Sequence, residues 1–219
     1  MKIKSMEGAI FDLDGTLLDS MAVWDTLGED YLRAIGKEPK ADLKEKISVM
    51  SLNQAAEYFI SEYGVSGNMQ EIMGDFNEIL SDFYFKRAFV KKGAKEFLEL
   101  LKKKNIKMCI VTATDKILAK KSLKNNQMLE YFEHIFTCSE MGVGKDSAES
   151  FNKAVKSLDT EKERTFIFED ALYAIKTAKG AGFPVVGVFD QSAANDQAEI
   201  KRIADVYINS FLEMGEYFD

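Results

Sequence analysis

The sequence predicts an α/β fold, a doubly wound parallel sheet with a helical domain inserted after its first strand. Three observations predict it. Short apolar runs recur along the chain between polar or turn residues, as strands buried on both faces require. Amphipathic stretches of helical period lie between them. One long interval, from Leu17 to Arg87, has helical patterns and no strand candidate.

Taken in order, the first strand candidate is Ala9–Leu13. Four helical patterns follow, over Ser20–Ile35, Ala41–Ile47, Leu52–Tyr63 and Met69–Phe85. A single crossover needs about a dozen residues, so this interval is an insertion able to bury a small core of its own. The expected division is an α/β core domain of residues 1–17 and 88–219 and a helical cap domain of residues 18–87. The linkers fall near 17–20 and 85–92, with no proline in either. Beyond the insertion, strands are expected at Met108–Thr112, His134–Cys138, Thr165–Phe168, Val185–Phe189 and Val206–Ile208. They alternate with helices at Lys95–Lys104, Ile117–Gln127, Ser147–Leu158 and Leu172–Ala181. In the first of these, Phe97, Leu98, Leu100 and Leu101 face one way. Strand–helix alternation of this kind makes right-handed crossovers and a parallel sheet.

Composition narrows the function classes. A chain that is 46% hydrophobic with 14 Gly and 2 Pro is neither disordered nor collagenous. Net charge of −7 argues against a nucleic-acid backbone as partner. The Lys102-Lys103-Lys104 run reads as a solvated helix face. No apolar run approaches the ~18 residues of a membrane helix, and Met1–Glu7 breaks into charge before a signal-peptide core can form. Cys109 and Cys138 lie in apolar runs, which predicts buried, reduced thiols and a cytoplasmic chain.

Chemistry concentrates at strand ends. Asp12 and Asp14 close the first strand in the run Phe11-Asp12-Leu13-Asp14-Gly15-Thr16, and alternate positions on a strand point to one side. Open α/β sheets bind ligands at the carboxyl ends of their strands. The bland reading is an acidic turn, since Asp-Gly is a common turn pair. Glu169 and Asp170 close a second buried strand, where Asp170 alone also reads as a helix cap. Were these strands neighbours, each like-charge pair at ~4 Å would cost about 4 kcal/mol at an effective dielectric of ~20. Such a cluster calls for a cation. All-oxygen donors select a hard ion, and Mg²⁺ fits best. Thr112, in Ile110-Val111-Thr112-Ala113-Thr114, is either a phosphate-binding hydroxyl beside backbone amides or an ordinary N-cap. Lys145 sits in Gly142-Val143-Gly144-Lys145-Asp146, which fails the nucleotide P-loop pattern because Asp146 replaces its Ser or Thr.

In order and spacing these pieces resemble the haloacid-dehalogenase-like hydrolase superfamily. The similar branch has a helical cap after the first motif, as in β-phosphoglucomutase-like and phosphoglycolate phosphatase-like members. The matching residues are Asp12-Leu13-Asp14-Gly15-Thr16-Leu17-Leu18-Asp19-Ser20, Thr112, Lys145 and Phe168-Glu169-Asp170-Ala171, with the small-residue helix end Ala178 to Gly182. The resemblance implies a Rossmann-like core with Asp12 as nucleophile and Asp14 as general acid and base. It implies that Thr112 and the Ala113 amide hold phosphoryl oxygens and that Lys145 neutralises Asp12 and the phosphoryl group. Mg²⁺ would be held by Asp12, the Asp14 carbonyl and Asp170, with Glu169 direct or through water. The implied activity is Mg²⁺-dependent hydrolysis of a small phosphorylated metabolite through an aspartyl phosphate.

Some residues depart from the family pattern. Many relatives have Pro after the motif Lys, whereas Asp146 and Glu149 here have the spacing of a capping box. Ala171 and Ala174 replace a common Ser and Gly. A phosphosugar mutase is the alternative with the same chemistry. Its first-cap-helix His falls at Trp24, and its distal-phosphate Arg falls in Ser48-Val49-Met50-Ser51. Lys44 or Lys46 are the point charges available to stand in for that Arg. Trp24, ten residues after Asp14, reads as cap core with Leu27 and Tyr31 or as a substrate-pocket wall with Met50. A phospho-acceptor signalling domain needs neither Asp14 nor a cap, and haloacid dehalogenation would leave the metal-binding acids without a role. His134 has no second histidine with which to build a zinc site.

Overall fold

The structure, a computed structural model, describes residue 3, residues 6–47, residue 50, residues 52–86 and residues 89–218. It divides into two compact units, Met1–Asp19 with Ala88–Asp219, and Ser20–Arg87.

The first unit begins with β1 (Gly8–Phe11) and a two-residue strand β2 (Leu18–Asp19). The second holds α1 (Met21–Ala34), α2 (Leu43–Ile47), α3 (Leu52–Tyr63) and α4 (Met69–Lys86). The chain returns through β3 (Phe89–Val90), α5 (Ala94–Lys103), β4 (Lys107–Thr112), α6 (Lys116–Asn125) and β5 (His134–Thr137). Then come α7 (Cys138–Met141), α8 (Ala148–Leu158), β6 (Thr165–Glu169), α9 (Leu172–Gly180) and β7 (Val185–Val188). The chain closes with α10 (Gln197–Ile203), β8 (Val206–Ile208) and α11 (Gly215–Phe218).

Six of these strands form one parallel sheet in the order β5-β4-β1-β6-β7-β8. The central strand β1 is apolar along its whole length because both its faces are covered. On one face Phe11 stacks on Phe168 of β6 at 4.4 Å between ring centroids, and Phe97 of α5 and Phe211 complete an aromatic layer. On the other, Ile10, Cys109 and Ile167 pack against Phe151 and Leu158 of α8 and Ile175 and Ala178 of α9. Register does the positioning. Phe11 lies opposite both Ile110 and Phe168, so β1, β4 and β6 come to their carboxyl ends side by side.

The helical unit has its own core. Tyr31 of α1, Phe59 of α3 and Phe76 of α4 meet with centroids 4.9 to 6.0 Å apart. Trp24 donates its indole N–H to the Tyr84 hydroxyl at 3.1 Å. It also lines a cavity of about 230 Å³ within this unit, with Met21, Leu27, Lys44, Phe59 and Phe76.

Three expectations need correcting. The insertion starts at residue 20 rather than 18, because Leu18 and Asp19 pair antiparallel with Val90 and Phe89. Two residues are too short a run for any period to reveal. Asp146 and Glu149 form no capping box, since α8 starts one residue later and the Ser147 hydroxyl accepts from the Glu149 amide at 3.3 Å. Asp170 does not cap α9, whose N-cap is Ala171 with no side-chain bond. Ser48, Val49 and Ser51 lie outside the described residues, as do Arg87 and Ala88 of the second linker.

Both cysteines are free, with Cys109 buried and Cys138 half-buried. His134 is exposed at the start of β5, its ring 5.7 Å from that of Phe136. Among the described residues no helix is long and apolar enough to cross a membrane. The central aromatic layer sets an expected outcome. Phe168→Ala should lower unfolding free energy by about 3–5 kcal/mol, read as a shift in the urea midpoint with unchanged slope.

Candidate active site

The site grows out of the sheet's central strand ends. At the end of β1 the Asp12 amide donates to the Phe168 carbonyl at 3.0 Å, which carries the pairing with β6 one residue past the strand. Asp12 therefore emerges beside Glu169 and Asp170. The chain then turns tightly, with the Leu17 and Leu18 amides both donating to the Leu13 carbonyl at 2.9 Å. Gly15 adopts φ +80° in that turn, and a Cβ there would collide with the Asp170 carboxylate. Glycine is thus required twice, for its left-handed conformation and for the close approach of Asp170. Buried Thr16 donates its hydroxyl to Asp170 Oδ1 at 2.9 Å and fixes that carboxylate against the turn.

Lys145 comes from the loop between α7 and α8 and is buried in the same place. Its Nζ lies 2.7 Å from Asp12 Oδ1 and 2.5 Å from Glu169 Oε1. Glu169 also accepts the Asp170 and Ala171 amides on Oε2, at 2.8 and 3.0 Å. It holds the lysine with one oxygen and the β6–α9 turn with the other.

Asp12, Glu169 and Asp170 offer carboxylate oxygens within 4.8 Å of one another, all buried. Three carboxylates against one ammonium leave two negative charges uncompensated. The chemistry of this donor set, buried oxygens with a charge deficit of two, fits a hard divalent cation. The electrostatics express the same deficit. Burial pushes the Asp12 carboxyl up to about 7, with Glu169 and Asp14 adding to the rise and Lys145 opposing it. Burial, then Glu169 and Asp12, hold Asp170 well above the usual carboxylate range. Burial opposes the charge on Lys145, yet Asp12 and Glu169 outweigh it and hold the ammonium well above its usual range.

Asp14 is half-buried and turns toward the end of β4. There the Thr114 hydroxyl donates to Asp14 Oδ2 at 2.5 Å, and the Thr114 amide donates to Thr112 Oγ1 at 3.1 Å. Thr112 is buried and Ala113 is exposed at the turn between them. Asp12, Asp14, Thr112, Ala113, Lys145, Glu169 and Asp170 thus all belong to the first unit, at the ends of β1, β4 and β6 and on one loop. Trp24 and Met50 belong to the helical unit, where Met50 is half-buried and donates its amide to Ile47. Sequence reasoning gave no role to Thr16 or Thr114. The available signal was a hydroxyl two residues beyond each named residue, Asp14 and Thr112.

The sequence profile described as "Haloacid dehalogenase-like hydrolase" matches residues 9–188. The chain belongs to this family. As a haloacid dehalogenase-like hydrolase it is 27% identical over 194 residues to (DL)-glycerol-3-phosphatase 2 of Arabidopsis thaliana, spanning 85% of this chain and 80% of that protein. It is 23% identical over 177 residues to the phosphorylated carbohydrates phosphatase of Thermotoga maritima, spanning 81% and 82%. CbbY from Rhodobacter sphaeroides, solved in complex with phosphate, superposes with a TM-score of 0.75 at 19% identity over 96% of both chains, and so shares the fold.

The carboxylate cluster of this hydrolase sets a pH dependence. Asp12 binds its proton more tightly in the fold, at about 7, than unfolded, at 3.8. Its contribution to stability is therefore complete below 3.8 and lost as pH rises through about 7. Lys145 stays charged throughout that window and does not alter it. A divalent ion bound to the ionised carboxylates would reverse the loss. The rise in thermal midpoint on adding Mg²⁺ should be larger at about pH 8 than at about pH 5. An equal or smaller rise at the higher pH would place the ion elsewhere.

Proposed function

We propose that this chain is an Mg²⁺-dependent phosphatase that hydrolyses a small phosphorylated metabolite through an aspartyl phosphate on Asp12. The observation that carries the reading is the buried Lys145 ammonium between Asp12 and Glu169, with Asp170 alongside. A phosphate monoester is a dianion that repels an anionic nucleophile, so the catalyst must position and neutralise. Asp12, Asp170 and the Asp14 carbonyl would hold Mg²⁺, with Glu169 direct or through water. When bound, that ion would supply charge neutralisation for the phosphoryl oxygens.

The remaining steps belong to the chain's own residues. An Asp12 carboxylate oxygen attacks phosphorus, the bond to the leaving oxygen breaks, and Asp14 gives that oxygen its proton. Lys145, the Thr112 hydroxyl and the Ala113 amide hold the phosphoryl oxygens. Asp14 then takes a proton from water, the water oxygen attacks phosphorus, and the bond to Asp12 breaks. Asp12 is restored and inorganic phosphate leaves.

The names of the two relatives described above support a phosphorylated polyol or sugar as the substrate class. We assign the Ser20–Arg87 unit the role of selecting the substrate, with Trp24 and Met50 as pocket walls. Two features disfavour a mutase. Trp24 cannot act as a His, and the stand-in cations are already paired, Lys44 with Asp25 at 3.1 Å and Lys46 with Asp42 at 3.0 Å. The free thiols and the acidic balance fit a cytoplasmic enzyme with no nucleic-acid partner.

The test is Mg²⁺-dependent phosphate release across glycerol phosphate, phosphoglycolate, sugar phosphates and nucleotides. β-Glucose 1-phosphate with a bisphosphate activator is assayed alongside, and glucose 6-phosphate forming faster than phosphate would overturn the reading in favour of a mutase. Asp12→Asn should abolish turnover, by more than about 10,000-fold, while the protein remains folded by circular dichroism. Asp14→Asn should lower kcat by about 100- to 10,000-fold and keep its Mg²⁺ affinity, measured by calorimetry. Weakened Mg²⁺ binding with undiminished kcat would remove Asp14 from the acid–base role.

A further inference from the structure

We infer that the groove between α1 and α4 is a binding site for a linear alkyl polyamine, a second ligand that takes no part in the phosphate chemistry. The groove lies within the Ser20–Arg87 unit and has a volume of about 830 Å³. Val23 and Ala34 of α1 and Ile79 and Phe83 of α4 give it an apolar lining. Asp30 of α1 and Asp75 and Glu78 of α4 stand exposed at its rim. Among the described residues no lysine or arginine lines it, and Asp30, Asp75 and Glu78 make no ion pair. Asp82 lines it as well and has an interaction of its own.

A buried hydroxyl points the same way. Tyr31 is 2% exposed, its ring packed on those of Phe59 and Phe76 at 5.7 and 4.9 Å, and it lines the groove. Among the described residues its hydroxyl has no hydrogen-bond partner. Burial first, and then the Asp75 carboxylate, raise the Tyr31 phenol, so the hydroxyl lies toward the acids of the groove. Phenylalanine would fill the same core space without leaving a polar group short of a partner, which is a costly state. An ammonium has donors only and would give the phenol oxygen the bond it lacks.

Charge and shape select the ligand class. Among the described residues only Asp12, Glu169 and Asp170 bring three ligand atoms within 4.8 Å of one another, so the acids of this groove stand too far apart to share one metal ion. Separate cations on one chain can meet them. Asp75 and Glu78 are three positions apart on one face of α4, about 4.5 Å along its axis, within reach of two amines joined by a short alkyl spacer. The spacer carbons would cover Ile79 and Phe83. Pockets for small ligands run from about 300 to 1,000 Å³, a range that suits a small polycation better than a helix of another protein.

The experiment is titration calorimetry of the full chain with spermidine, in saturating Mg²⁺ so that the buried carboxylates at the strand ends do not compete for it. Wild type is compared with Asp75→Asn/Glu78→Gln, Asp30→Asn and Tyr31→Phe. Spermidine should bind wild type at a single site. Its affinity should fall by at least about tenfold in the double variant and by about three- to tenfold in Tyr31→Phe and in Asp30→Asn. Butylamine, with one ammonium, should bind wild type at least about tenfold more weakly than spermidine.

No binding of spermidine, or undiminished affinity in the double variant, would overturn the inference. So would unchanged affinity in Tyr31→Phe, which would reduce the attraction to that of any acidic surface. A lysine-rich helical peptide that binds more tightly than spermidine, and weakens in the same variants, would overturn the polyamine in favour of a protein partner. Should Tyr31→Phe fail to fold by circular dichroism, Asp30→Asn, altered at an exposed position on the facing helix, is read in its place.

Discussion

An ammonium group buried between two carboxylates is the constraint on which the rest of this molecule depends. Taking Lys145, Asp12 and Glu169 out of water costs several kcal/mol per ion, and their attraction repays it only with close geometry and further hydrogen bonds. The chain supplies both. Glu169 bonds the lysine and two backbone amides at once, and Asp12 is fixed by its own amide on the next strand. Yet the charges still do not balance. A fold that aimed only at stability would fill this place with apolar side chains, and the cluster makes sense as preparation for positive charge and a phosphoryl group.

The sheet meets this constraint through register. Because Phe11, Ile110 and Phe168 lie level with one another, the residues just beyond them meet without any long loop to position them. The aromatic layer under β1 and the mixed apolar layer on its far side hold that register by burying both faces. A slip of one residue would turn every side chain of the strand over and scatter the acids. The packing of Phe11 on Phe168 is therefore part of the site's geometry, although neither ring touches the acids' chemistry.

Much of this was legible in the sequence, for stated reasons. Runs such as Met108–Thr112 and Val206–Ile208 announce strands because burial on both faces leaves no polar position. Acid pairs at the ends of two such runs announce a cluster because nothing apolar repays their burial. What escaped was contact over distance. The pairing of Leu18 and Asp19 with Val90 and Phe89 is two residues long and has no period. The bond from Thr114 to Asp14 joins residues that only β1–β4 adjacency brings together. The cap of α8 shifted from Asp146 to Ser147 because both residue types suit the position, and only backbone geometry decides between them.

The small β2–β3 ladder has one further consequence. It clamps the chain where it leaves the core and where it returns, with the Lys91 amide on the Leu17 carbonyl at 2.9 Å. Lys91 extends the clamp by reaching the Phe189 carbonyl and Asp190 Oδ2 at 2.6 and 2.7 Å. Seen from the sheet, everything from residue 20 to 87 is the loop of one very long hairpin. Each doubling of a flexible loop costs only about 0.6 kcal/mol in closure entropy, so the sheet is nearly indifferent to what the ladder encloses. Such a junction lets evolution exchange the whole inserted unit as a cassette while the strands that hold the acids stay as they are.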